Sequence, residues 1–285
     1  MSDSTTPAIR VWVNGDLVDP TGASISALDH AVTVGDGVFE TVKIERGQPF
    51  ALRRHHARLQ RSAAGLGLGG LDLALLGKGI NAVLEGPPLD FGRLRYSVTG
   101  GVGPLGSDRD SDELTYIVLA GPQARPPASG SLTVVPWTRN ERSAVAGLKT
   151  TSYAENVVAL ARARERGAIE AVLANTRDEL CECTGSNIFV VVDRSVLTPP
   201  VSSGLLPGIT RELVIEWAGA SGIPVHEVPL PLTVLDTADE VFITSTTKDV
   251  LPIHAIDDRP LPARHPITDG LSHLFQTNAA RDLDP

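Results

Sequence analysis

The chain has 285 residues, 42% of them hydrophobic, which is enough for packed cores and about two domains by length. It carries 25 basic against 34 acidic residues, a net charge of −9, with no Lys/Arg run able to track a phosphate backbone, so nucleic acid is excluded as a partner. MSDSTTPAIR at the start lacks a basic, then apolar, leader pattern, and no stretch of about 18 apolar residues occurs, so the expectation is a cytoplasmic protein that crosses no membrane.

In chain order, AIRVWVNGDLV predicts a hairpin turning on Asn14-Gly15, and GVFETVKIERGQPF a second turning on Arg46-Gly47. Leu52, His55, Leu59, Ala63 and Leu66 recur at helix spacing, as do Leu71, Leu75, Ile80 and Val83. GLGLGG, 65 to 70, follows the first helix instead of joining a strand to one, so it reads as a helix stop and not a dinucleotide loop. GRLRYSVTGG and ELTYIVLAG predict strands, and the order of elements gives an α+β domain over 1–120. The Pro- and Gly-rich stretch 121–130 is the expected linker, with a larger domain over 131–285. That second part opens on the strand SLTVVPW and a helix from about Ser152 to Gly167. Paired strands EAVLANT and DELCECT follow, then NIFVVVD and SVLTPP. A helix starting near Gly208, the strand EVFITST and a C-terminal helix from about Thr268 complete it.

Cys181 and Cys183 stand one residue apart, poor geometry for a disulfide and too few ligands for zinc, so they read as small apolar fillers. His55 and His56 point about 100° apart on a helix, which disfavours a shared metal; no metal is expected. Between the cysteines lies Glu182, sent by strand alternation to the opposite face. A lone carboxylate on an apolar strand needs a partner.

Lysine is scarce, with only Lys43, Lys78, Lys149 and Lys248. Lys149 ends an apolar segment just ahead of an amphipathic helix. A lysine whose charge is suppressed by burial forms a Schiff base with an aldehyde cofactor, of which pyridoxal phosphate is the common one. That chemistry also requires a carboxylate for the ring nitrogen, a cradle for the phosphate and an apolar cover for the ring. Glu182 can supply the first. Gly208, Ile209 and Thr210 at a helix start, the hydroxyls of Ser245 and Thr246, and Arg58 can supply the second, and Leu206 the third. Each piece taken singly is an ordinary cap, turn or solvated arginine; their joint presence carries the reading.

These residues resemble the class IV pyridoxal-phosphate family, fold type IV, which holds branched-chain aminotransferases, D-amino acid transaminases and 4-amino-4-deoxychorismate lyases. The resemblance runs from about Val11 to Asp249 through GDGVFETVK, HHARLQRSA, LKTTSYAENV, ECTGSNIFVV, LLPGITRELV and FITSTTKD, six blocks in the family's order. It implies a small N-terminal α+β domain and a larger α/β pseudo-barrel domain bearing the lysine, assembled as a homodimer. It implies that Lys149 is the Schiff-base lysine and proton shuttle and that Glu182 binds the pyridinium. Arg58, Ile209, Thr210, Ser245 and Thr246 would hold the phosphate, Tyr153 would contact the phenolic oxygen, and Asn187 belongs to the Glu182 block.

The reaction is less sharply marked. Where D-amino acid transaminases carry a Tyr, this chain has Phe39, and their carboxylate-gripping Arg and His are replaced by Leu105 and Ser107. Leu105 counts against the lyase too, while Thr41 resembles the lyase subgroup. Arg109 stands as a candidate to take over the substrate carboxylate, against the plainer reading of a surface ion pair. The expectation is a transaminase between an amino acid, D- or branched-chain type, and a 2-oxo acid. The alternatives are the lyase, which expels pyruvate, and a cofactor-binding protein without catalysis.

Overall fold

A computed structural model describes residues 9–285. The first eight residues lie outside it, and with them Ala8 of the expected first strand and most of the segment on which the absence of a leader was read. The chain divides into two compact units. One takes the residues up to Arg125 with Leu148–Ser152 and Leu283–Pro285; the other takes Pro126–Gly147 and Tyr153–Asp282.

The first unit contains β1 (Arg10–Val13), β2 (Asp16–Val18), α1 (His30–Thr33), β3 (Gly37–Glu45), β4 (Gln48–Pro49), α2 (Leu52–Leu66), α3 (Leu73–Leu84), β5 (Phe91–Thr99) and β6 (Thr115–Pro122). Its strands form one antiparallel sheet in the order β2-β1-β6-β5-β3-β4. Both hairpins turn where the sequence puts them, with Asn14 and Arg46 at positive φ before their glycines. Leu59, Ala63, Leu76, Ile80 and Val83 from α2 and α3 pack on Val38, Val42, Leu94, Val98 and Val118 of the sheet. Gly67, at φ 72, ends α2 with its N–H on Ala64 O while Leu68 N–H reaches Ala63 O, so GLGLGG is a helix stop. The four-residue α1 escapes sequence periodicity; it is capped by Asp29, which accepts from Ala31 N–H.

Leu148–Ser152 packs with this unit and not, as the sequence reading had it, with the later residues. The reason is backbone pairing with β3: Phe39 N–H donates to Lys149 O, Thr150 bridges Val38, and Thr151 N–H donates to Gly37 O. From the C-terminal residues, Leu283 O accepts from Ala51 N–H, and Asp284 pairs with Arg53.

The second unit contains β7 (Gly130–Arg139), α4 (Ala154–Glu165), β8 (Glu170–Asn175), β9 (Leu180–Cys183), β10 (Asn187–Val192), β11 (Ser195–Thr198), α5 (Ile209–Ala220), β12 (Val225–Glu227), β13 (Glu240–Ser245), β14 (Asp249–Ile256), β15 (Arg259–Pro260) and α6 (Pro266–Arg281). The sheet runs β12-β11-β10-β13-β14-β7-β8-β9, with β15 on β14, and curls into a half-barrel. Its β7–β8, β7–β14 and β11–β12 pairs are parallel and the rest antiparallel. Leu132, Val172, Leu180, Cys183, Ile188, Ile243 and Ile253 build the core. Pro252 interrupts the apolar run of β14, so the sequence pattern does not announce that strand.

Candidate active site

In the first unit, Lys149 is fixed by the backbone bonds to β3, and its own N–H donates to Ser62 Oγ at 3.1 Å. Its Nζ lies 4.5 Å from the centroid of the buried Phe39 ring, and the Arg95 guanidinium lies 3.8 Å from the same ring. Alternation along β3 sends Phe39 and Thr41 to one face and Glu40 to the other. There the fully buried Glu40 accepts from Arg58 Nε at 2.8 Å, Arg58 Nη2 at 2.7 Å and His55 Nδ1 at 2.7 Å. Burial pushes the Glu40 carboxyl up, but Arg58 and His55 outweigh it and hold it at about 2. Burial pushes His55 below its ordinary value, against the pull of Glu40.

In the second unit, Glu182 faces away from Cys181 and Cys183 as alternation requires. Both thiols are buried and free. Glu182 Oε1 accepts from Arg139 Nε at 3.1 Å and Oε2 from Leu206 N–H at 3.0 Å. Arg139 is itself held by Glu155 at 2.8 Å and by Asn156 at 3.2 Å, and Asn156 Nδ2 donates to Thr184 O. Asn187 opens β10 and donates Nδ2 to Leu206 O at 2.8 Å. A Cβ on Gly208 would stand 1.9 Å from Asn187 Oδ1, so the loop before α5 closes on Asn187 only because residue 208 has no side chain. Glu182, Asn187, Leu206 and Gly208 thus form one hydrogen-bonded group.

Ile209 and Thr210, both buried, open α5, whose first turn has no side-chain cap; its N–H groups and dipole suit an anion. Thr244 pairs across the sheet with Asn187. The buried hydroxyls of Thr244 and Ser245 have no hydrogen-bond partner, and Thr246 is half-buried in the turn that follows. Unsatisfied buried hydroxyls beside an uncapped helix start fit the phosphate end of a cofactor. Tyr153 is half-buried at the N-terminus of α4.

A sequence profile described as amino-transferase class IV matches residues 37–256. The chain belongs to this family. A putative branched-chain-amino-acid aminotransferase of Methanocaldococcus jannaschii is 37% identical over 261 residues, covering 88% of this chain and 89% of that one. A D-alanine aminotransferase of Listeria monocytogenes is 30% identical, covering 96% and 97%. Among solved structures, a branched-chain aminotransferase of Thermoproteus uzoniensis with norvaline aligns at TM-score 0.87 and 31% identity, covering 94% and 93%. A putative 4-amino-4-deoxychorismate lyase of Legionella pneumophila aligns at 0.82 and 26%, covering 91% and 97%. This class IV aminotransferase therefore has the fold of type IV enzymes.

The contacts of Arg109 are those of the plainer reading, an ion pair: Nε and Nη2 grip Asp36 at 2.7 and 2.6 Å, while Nη1 and Nη2 donate to Gly67 O and Leu66 O. It latches its loop to the C-terminal end of α2, where carbonyls lack helical donors. Leu105 and Ser107 of that loop are exposed. Within the first unit Glu40, and within the second Arg139 and Glu170, are buried or half-buried charged residues that sequence reasoning passes over, although Glu40 and Glu170 each carry the signal of Glu182, an acid set in an apolar strand. Among the described residues no cluster of three His, Cys, Asp or Glu could hold a metal ion, and no helix is long and apolar enough to cross a membrane.

Proposed function

We propose that this class IV aminotransferase uses pyridoxal 5'-phosphate to move an amino group between an amino acid, branched-chain or D-type, and a 2-oxo acid. The observation that carries the reading is the buried Glu182, paired with Arg139 and joined through Leu206 and Asn187 to the strand of the two unpartnered hydroxyls. The cofactor supplies an aldehyde that takes up amines and a ring that stores the electrons of a broken bond. Lys149 Nζ would hold the cofactor aldehyde and would serve as the base that takes the substrate's α-proton and returns it. Glu182 would offer its carboxylate to the ring nitrogen and would keep that nitrogen protonated. Ile209, Thr210, Ser245, Thr246 and Arg58 would hold the phosphate, Tyr153 would contact the phenolic oxygen, and Leu206 would cover the ring. The active assembly is a homodimer, checked by its mass in solution.

The test is a panel of D- and L-amino acids, each offered with a 2-oxo acid. Amino transfer by the native chain, absent in Lys149→Ala, and borohydride fixation of the cofactor on Lys149 support the reading. A silent panel overturns it. Thr41 and the likeness to the Legionella structure favour a second reading, the lyase. Pyruvate released from aminodeoxychorismate with no amino acceptor would select that reaction.

A further inference from the structure

The buried carboxylate of Glu170, first residue of β8, is used by none of the steps above. It accepts from Thr184 Oγ1 at 3.0 Å, Gly185 N–H at 2.7 Å, Ser186 Oγ at 2.5 Å and Lys248 Nζ at 2.5 Å. Burial pushes Glu170 up, but Lys248 foremost, then Ser186 and Gly185, hold it below its ordinary value. Three of the four donors come from the turn that runs from Glu182 to Asn187. The fourth, and the one charge among them, comes from the turn between β13 and β14, where Lys248 N–H also closes on Ser245 O at 3.2 Å. That second turn presents the unpartnered Ser245 hydroxyl.

One buried acid therefore buckles two turns: the one following the expected ring-nitrogen carboxylate and the one expected to hold the phosphate. We propose that Lys248 is a positioning residue for the anion-binding turn, fixing Ser245 and Thr246, through Glu170, at a set distance from Glu182. The inference rests on the cofactor reading above. Neutral donors alone tie the Glu182 turn to Glu170, so loss of the ammonium frees the Ser245 turn while the Glu182 turn keeps its three bonds.

The experiment compares two ligands by equilibrium dialysis: pyridoxal phosphate, and pyridoxal, which shares the ring but has no phosphate. In Lys248→Met the dissociation constant for pyridoxal phosphate should rise about tenfold with that for pyridoxal unchanged, and Lys248→Arg should restore most of the loss. Lys248→Gln, which keeps a donor but no charge, serves if the methionine variant does not fold. Equal weakening of both ligands, or no change in either, overturns the proposal. Failure of the native chain to bind pyridoxal phosphate is a separate result, and removes the cofactor reading itself.

Discussion

Gly208→Ala isolates the packing that shapes the loop between Glu182 and α5. Gly208 has φ −79 and ψ 133, open to any residue, so the backbone does not forbid a side chain. The obstacle is local, since the new methyl would meet Asn187 Oδ1 at 1.9 Å. Asn187 must swing away, breaking its 2.8 Å bond to Leu206 O in a buried setting. Two stranded polar groups cost about 1–3 kcal/mol. The reduced entropy of the unfolded chain offsets about 0.4–1 kcal/mol, leaving a net loss of up to about 2.6 kcal/mol. In an Asn187→Ala background the methyl meets no short contact, and the same substitution should be neutral or slightly stabilising. Urea unfolding of all four proteins, followed by circular dichroism and tryptophan fluorescence, should give a coupling of about 1–3 kcal/mol, the entropy term cancelling between backgrounds. Additive effects would refute the steric argument.

Three further outcomes are expected. Glu40 has a folded pKa of about 2 against an ordinary 4.5, so its stabilisation, about 3 kcal/mol, is full above pH 4.5 and lost as pH falls toward 2. In a His55→Gln background, which removes the competing imidazole, the cost of Glu40→Gln in urea unfolding should therefore shrink between pH 7 and pH 3; a constant cost would contradict the charged pairing. Arg109→Ala should speed protease cleavage within residues 103–112 and leave affinity for 2-oxo acids unchanged; weakened oxo-acid binding would return the guanidinium to the substrate. Burial pushes the thiols of Cys181 and Cys183 up, so both should resist a thiol reagent in the native protein and react on unfolding, as counted by absorbance.

Much of the fold was legible because its signals are local. Asn14-Gly15, Arg46-Gly47 and Gly67 declare turns through backbone conformation, and the spacing of Leu59, Ala63, Ile80 and Val83 declares two helix faces. The proposed chemical residues Lys149 and Glu182 stand out in the sequence through rarity and an apolar context. Their supports were not. Arg139 reaches Glu182 from a different strand, Arg58 reaches Glu40 across 18 positions, and Lys248 reaches Glu170 across 78, and nothing in a linear pattern specifies which charge meets which. Arg109, four residues past Leu105, is taken up by two helix-end carbonyls and an aspartate, contacts that its place in the sequence does not announce.

The chain passes between its two units at Arg125, Gly147, Ser152 and Asp282. During synthesis the first sheet can pair as soon as Pro122 has emerged, yet its lysine-bearing segment and the partners of Ala51 and Arg53 are still untranslated. Cutting at the Pro-rich connector therefore yields two incomplete pieces, and a nascent polypeptide stalled there would leave the edge of β3 beside Val38 without its backbone partner.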